Sequence, residues 1–305
     1  MRPFPVWAVV LNHREATDTM RCLSALDKVR YRRLTTLVVD NASGPGEVAW
    51  LRSVGARVVE SGGNLGYAGG NNVGIRLALE GGAEAVWLVN PDAYVHSSSL
   101  RRLVRALRRH PEVGIVGPRI LEASTASPQV QSDGGRIVWE AGGRSELIGR
   151  GKEPDRGGGL HLVDFVPGAA MLVRRQVLDD VGLLPEEFFL YFEETEFCVR
   201  AVAAGWKVAV ETGARVVHSF APADGLPTEA LLYYFVRNRL LFGQRHTAVP
   251  FAEQLADLEG FIASWRRRVE ERNPQWIGRF EELVGMAIED ARAGVTGHRE
   301  GVGAG

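Results

Sequence analysis

Two acidic segments carry the chemistry in this chain. Asn90-Pro91-Asp92 halts the apolar run Ala85-Val86-Trp87-Leu88-Val89, and Glu193-Glu194-Thr195-Glu196 follows the aromatic run Phe188-Phe189-Leu190-Tyr191-Phe192. A buried strand stopped by proline delivers Asp92 to its carboxyl end, the edge of an open α/β sheet where ligands bind. With no basic neighbour in sequence, this carboxylate suits a hard divalent cation and the phosphates it carries. A strand-ending Asx-Pro turn with a solvated aspartate is the simpler alternative. In the second segment, one acid would stabilise a helix N-terminus, but three like charges on one turn oppose one another. A partly buried member would be pushed toward neutrality, which suits a general base. Val216-Val217-His218 ends another apolar run with an imidazole, a structural residue or a metal ligand.

Three further segments fit a phosphate-bearing nucleotide. Strands should exit at Leu11-Asn12-His13-Arg14 and at Asp40-Asn41-Ala42-Ser43, on the same edge as Asp92. Asp40 there would accept hydrogen bonds from a base imide or a ribose hydroxyl, or close an Asx turn. Between Gly62 and Asn72 runs Gly-Gly-Asn-Leu-Gly-Tyr-Ala-Gly-Gly-Asn-Asn. Its glycines permit close backbone approach and positive φ, and a helix beginning near Asn71 would offer free amides to an anion. Neither a dinucleotide-binding fingerprint nor a P-loop is present.

The elements that must position these groups alternate. Strands are expected at residues 6–11, 37–39, 57–59, 86–89 and 113–116, with a helix after Thr17-Asp18 and another resuming at residues 73–79. Leu100, Leu103, Val104 and Leu107 mark an amphipathic helix behind Ser97-Ser98-Ser99. Such alternation predicts a mostly parallel sheet flanked by helices. From 122 to 159 the pattern dissolves into loops, with a hairpin around 136–140. A strand at 165–173, a short helix to Gly182, a helix at 193–204 stopped by Gly205 and a strand at 206–210 follow. The remainder is helical: Thr228 caps a run through Phe242, Phe251 to Trp265 share one face, and Asn273-Pro274 opens the last helix. Residues 294–305 are expected to fray. The domain reading is a catalytic domain over 1–220, with a nucleotide-binding half at 1–120 and an acceptor-binding half at 121–220, then a helical segment at 221–305.

Composition bounds the classes. The 305 residues hold 36 Lys+Arg against 37 Asp+Glu, a net charge of -1 that argues against a dedicated nucleic-acid binder. Cys22 and Cys198 lie in helical patterns and read as small apolar core residues in a reducing compartment. No basic segment leading a long apolar stretch marks a signal peptide, and no window approaches the roughly 20 apolar residues of a bilayer span. A soluble, cytoplasmic protein is expected, with contact at the inner membrane face left open.

In order and spacing, these segments resemble the inverting family-two glycosyltransferases of the GT-A fold, in their rhamnosyltransferase-like and galactofuranosyltransferase-like branch. The resemblance covers residues 6–243. It rests on Val10-Leu11-Asn12, Val39-Asp40-Asn41-Ala42-Ser43, the stretch from Asn64 to Asn72, Asn90-Pro91-Asp92, Gly168-Ala169-Ala170-Met171-Leu172-Val173-Arg174-Arg175, Glu193-Glu194-Thr195-Glu196, His218 and Arg237-Asn238. It implies a GT-A fold, mostly parallel and flanked by helices, with a C-terminal helical extension. It also implies transfer of a sugar, from deoxythymidine-diphosphate rhamnose or a uridine-diphosphate hexose, to an acceptor hydroxyl on a glycan, glycolipid or small metabolite. Asp40 corresponds to the nucleoside-binding aspartate, and Asp92 to the last acid of the D-x-D element that holds Mg²⁺ or Mn²⁺ on the donor diphosphate. His218 corresponds to the late histidine completing that metal's coordination. Glu194 takes the place of the catalytic base, with Glu193 as its runner-up. Asn12, Asn64, Gly66 and Asn71 join Asp40 and Asp92 in the donor site, and Gly168 and Glu196 are placed at the substrate, Glu196 holding the acceptor or orienting the base. From the residues themselves, Trp139 reads as part of an acceptor wall, and Arg174-Arg175 and Arg237 as contacts to a phosphate-bearing acceptor or to the donor. Two departures stand out: Asn90 replaces the first acid of the D-x-D element, and glutamate replaces aspartate at the base position.

Two rival readings stay open on sequence alone. A sugar-nucleotide nucleotidyltransferase would want a glycine-rich basic motif near the N-terminus, which Asn12-His13-Arg14-Glu15 lacks. A non-catalytic sugar-nucleotide-binding scaffold would not need acids at 92, 193, 194 and 196. Arg266-Arg267-Arg268 beside Trp265 suits either a membrane surface holding a lipid-linked acceptor or a homodimer contact through the C-terminal helices.

Overall fold

Val6-Trp7-Ala8-Val9-Val10-Leu11 has no polar face, as a strand covered on both sides requires, and it becomes an interior strand of a large mixed sheet. The computed structural model describes residues 4–123, 128–155, 157–219 and 225–303. In chain order it runs β1 (Val6–Asn12), α1 (Ala16–Leu26), β2 (Leu34–Asp40), α2 (Pro45–Ser53), β3 (Val58–Glu60), α3 (Gly66–Glu80), β4 (Ala85–Val89), β5 (Ala93–Val95), α4 (Ser99–Arg109), β6 (Val113–Glu122) and β7 (Val130–Ser132). Then come β8 (Gly135–Val138), β9 (Arg144–Leu147), β10 (Leu160–Leu162), β11 (Ala170–Arg174), α5 (Arg175–Val181), α6 (Glu193–Ala203), β12 (Lys207–His218), α7 (Glu229–His246), α8 (Phe251–Arg272) and α9 (Ile277–Ala293).

The sheet order is β10-β12-β6-β11-β4-β1-β2-β3, with β5 added to β12 and β7 to β6. Strands β3, β2, β1 and β4 are parallel, and β11 then enters antiparallel between β4 and β6. Two compact units result. The first takes residues 1–136, 147–184 and 194–220; the second takes 137–146, 185–193 and 221–305. The first is built on a core that includes Val10, Trp87, Val89, Leu103 and Val216. The second packs Phe189, Tyr233, Tyr234, Leu258, Trp265 and Phe280 around the C-terminal helices. The expected boundary at 220–221 lies outside the described residues.

The largest departure from the sequence pattern is α3. It starts at Gly66 and not at residue 73, so most of the glycine-rich stretch is helical. Close packing explains this. A Cβ on Gly74 would lie 2.4 Å from Val9 Cγ1, and one on Gly70 would lie 2.4 Å from Leu11 Cδ1. These glycines bring the helix down onto β1, which offsets their poor helix propensity.

Smaller corrections have similar causes. The strand expected at 165–173 begins only at Ala170, and β6 and β12 run well past their apolar starts because they pair along most of their length. The last helix is preceded by a 3₁₀ turn, Pro274–Trp276. Residues 294–303 do not fray: Gly297 O accepts from Arg237, Arg299 N donates to Tyr234 Oη at 3.0 Å, and Gly303 N donates to Glu229 Oε2 at 3.1 Å. Thr228 does cap α7, its Oγ accepting from Leu231 N at 3.1 Å. Both cysteines are free and buried, and loss of hydration pushes each thiol up to about 12.

Candidate active site

Asp92 and His218 are joined by strand pairing. The end of β12 runs antiparallel to β5 and sets His218 opposite Ala93, the residue after Asp92. His218 Nε2 consequently lies 3.2 Å from Asp92 Oδ1, with the imidazole buried and the carboxylate partly open. The other ring nitrogen, Nδ1, lies 2.8 Å from Gln131 Oε1, so an amide orients the ring from behind. Asn90 forms the expected turn as well, its carbonyl accepting from Ala93 N. The turn is what aims Asp92 at the histidine. Among the described residues no three His, Cys, Asp or Glu side chains gather as a metal cage. The carboxylate–imidazole pair fits a hard or borderline divalent cation that takes its remaining ligands from phosphates and water.

Glu15 belongs to this corner and escaped the sequence reading. Its carboxyl is raised to about 7, chiefly by lost hydration, then by Asp92, Asp18 and Glu47, against an opposing pull from His218. The available signal was its place three residues after Asn12, where β1 has just ended.

Along the same strand ends, Asn12 and Asp40 form one network. Asn12 Nδ2 donates to Asp40 Oδ1 at 2.9 Å, to Ser43 Oγ at 2.8 Å and to Glu47 Oε2 at 3.0 Å, and Thr19 Oγ1 donates to Asn12 Oδ1. Ser43 N donates to Asp40 Oδ2 at 3.1 Å, so the carboxylate does tie down the 40–43 loop, and Asp40 is only 3% exposed. Asn41 ties in the next loop: its Nδ2 donates to Asn64 Oδ1 and Gly66 O, and its Oδ1 accepts from Leu65 N. Asn71 does not head a helix. It lies inside α3, buried, with Nδ2 donating to Tyr67 O. Asn72 exchanges two hydrogen bonds with the Leu184 backbone. Gly168 O accepts from Tyr67 Oη at 2.7 Å, and a Cβ there would strike that hydroxyl.

The acidic segment opens α6 at Glu193. Glu193 and Glu196 are each 3% exposed, whereas Glu194 keeps partial access to solvent. Of the three, Glu194 alone keeps partial side-chain access, although its Oε2 is itself buried.

In the second unit, Trp139 sits on the 3₁₀ turn between β8 and β9, 39% exposed, with its ring stacked 6.1 Å from Phe242. It borders a shallow depression of about 530 Å³ shared with Glu140, His246, Val249 and Glu253. Arg237 differs from its expected role. It is fully buried, and its guanidinium donates to Phe188 O, Gly297 O and Asn238 Oδ1, leaving no face for an acceptor. Arg174 likewise donates to the carbonyls of Val113 and Leu107. Trp265 is in the core beside Phe261, and Arg266 pairs with Glu270 and Glu281.

Known proteins agree with this architecture. A 29% identical relative over 236 residues is the low-salt glycan biosynthesis hexosyltransferase Agl10 of Haloferax volcanii, covering 76% of this chain and 73% of that one. An N-acetylglucosaminyl-diphospho-decaprenol L-rhamnosyltransferase of Mycobacterium tuberculosis is 26% identical over 282 residues, 84% of this chain and 89% of its own. Among solved structures, GalNAc-T7 with UDP, GalNAc and Mn²⁺ superposes with a TM-score of 0.61 at 14% identity, over 96% of this chain and 58% of that chain. It shares the GT-A fold. The family model "Glycosyltransferase like family 2" matches residues 5–239, and the chain belongs to that family.

Proposed function

We propose that this glycosyltransferase moves a sugar with inversion from a nucleoside diphosphate to an acceptor hydroxyl. The observation that carries the reading is the partial access of Glu194 at the head of α6 between two buried carboxylates. Glu194 takes the acceptor proton while the acceptor oxygen bonds to the anomeric carbon. The anomeric carbon–oxygen bond to the diphosphate breaks, and its electron pair leaves with the diphosphate. Asp92 and His218 are the residues that would hold Mg²⁺ or Mn²⁺, which when bound neutralises charge on that leaving group. Asn12, Asp40, Asn64 and Gly66 shape the nucleoside end of the site.

Deoxythymidine-diphosphate rhamnose is the first donor to test and a uridine-diphosphate hexose the second. The acceptor reading is a saccharide on a lipid diphosphate, in keeping with the activity for which the mycobacterial relative is named. Trp139 with Glu140 and Glu253 has the apolar face and hydrogen-bonding rim that a sugar ring uses. Incubation with rhamnosyl, glucosyl, galactosyl and mannosyl nucleotides, with Mn²⁺ or with chelator, tests the reaction. Metal-dependent release of nucleoside diphosphate and an inverted anomeric centre by NMR are expected. Absence of release from every donor, or retained configuration, overturns it.

A further inference from the structure

Residues 188–192 take an unusual backbone path into the acidic segment. Leu190 N donates to Phe188 O at 2.8 Å around Phe189, whose φ of 64° and ψ of -56° make a γ-turn of the rare, strained hand. Tyr191 and Phe192 follow with φ of 66° and 75°. Three left-handed residues among four, none of them glycine, require surroundings that over-determine them. Glu193 and Glu194 come next.

The over-determination comes from α7. Asn238 is fully buried, and its Nδ2 lies 2.8 Å from each of three carbonyl oxygens, those of Phe188, Leu190 and Tyr191. Arg237 donates its Nε to Asn238 Oδ1 at 2.9 Å, which fixes the amide orientation, and donates a second nitrogen to Phe188 O at 3.1 Å. Its guanidinium also lies over the rings of Tyr233 and Tyr234, 5.2 and 4.9 Å from their centroids. The aromatic side chains of the turn supply the rest. Phe189 packs on Tyr234 and His298, and Phe192 on Phe235 and Phe242.

We propose that Arg237 and Asn238 are positioning residues: they hold residues 188–192 in this left-handed course and so set where the chain enters α6 with Glu193 and Glu194. The inference rests on Glu194 being the base. Without the Asn238 donors, the turn relaxes toward right-handed backbone and the carboxylate leaves its productive place, although neither residue touches substrate.

The test compares Asn238→Ala, Asn238→Asp, Tyr191→Gly and the double variant Asn238→Ala/Tyr191→Gly in the full chain. Aspartate keeps an acceptor for Arg237 but loses the donors, so it serves if the alanine variant fails to fold. The expected result is a kcat lower by ~10- to 100-fold, the order that a misplacement of about 1 Å produces. Donor affinity by calorimetry should be unchanged, and the amides of 189–193 should exchange faster with deuterium. Glycine adopts positive φ freely, so adding Tyr191→Gly should recover much of the lost kcat, while Tyr191→Gly alone stays near wild type. An Asn238 variant with normal turnover and normal exchange overturns the inference. So does an exchange change that glycine at 191 leaves without any recovery of rate. If Glu194→Gln is itself active, the assignment of the base has failed instead, and the exchange data still report whether Asn238 holds the turn.

Discussion

Glu194→Gln keeps the shape of the side chain and removes its ability to take a proton. Loss of a positioned base lowers turnover by ~10² to 10⁴, so kcat should fall by that order in steady-state assays while calorimetric donor affinity is retained. Near-normal turnover would remove Glu194 from the reaction. Glu15 yields a second prediction. Its folded pKa is raised from 4.5 to about 7, so the folded state holds the proton more tightly than the unfolded chain. The metal-free protein is then relatively most stable below pH 4.5 in this respect, and loses that contribution as pH rises through 7. Glu15→Gln should flatten this part of the urea midpoint–pH curve. An identical slope in wild type and variant would show that the carboxyl titrates normally.

The glycines of α3 give a prediction whose sign is decided by comparing two effects. Alanine at Gly74 gains about 1 kcal/mol of helix propensity. Its Cβ, however, would press into Val9 Cγ1 at 2.4 Å and Val39 Cγ2 at 3.0 Å, and overpacking costs about 1 to 3 kcal/mol. Gly74→Ala should therefore destabilise in denaturant titrations, while Gly63→Ala, with open space around it, should be neutral. A stabilised Gly74→Ala would mean that α3 can move away from β1. The same helix shows what the sequence could and could not reveal. Strands β1 to β4, the start of β6 and helix α4 were legible because apolar periodicity is local, whereas β5, β7 and β10 are short pieces added by pairing. The start of α3 was not, because the glycines are selected by a strand sixty residues away in the chain (roughly) whose proximity no window contains. The Asp92–His218 meeting was legible only through family likeness: it depends on β5–β12 register, as does the Gln131 contact that was missed altogether. Arg237-Asn238 was visible as a motif, yet its role needed the carbonyls of 188–191 to be seen.

The second unit is finished by its own last residues. Deleting 294–303 removes the Gly297 acceptor of Arg237, the Arg299–Tyr234 bond and the Gly303–Glu229 bond, and exposes the site of buried Val302. A chain ending at 293 should unfold at lower urea than the full chain, followed by circular dichroism; an unchanged midpoint would mean that the tail is a passenger. Among the described residues no helix is long and apolar enough to cross a membrane. Trp265 lies in the core, and Arg266 of the α8 arginine cluster is paired with Glu270 and Glu281.

The two inert thiols have a practical corollary. Cys22 and Cys198 are the only cysteines, and both are fully buried and held protonated far above neutral pH. The native chain is therefore a silent background for maleimide chemistry. A single Glu140→Cys substitution at the rim of the Trp139 depression would take one fluorophore there, and its emission would report in real time whether a saccharide arrives, without removing either native thiol.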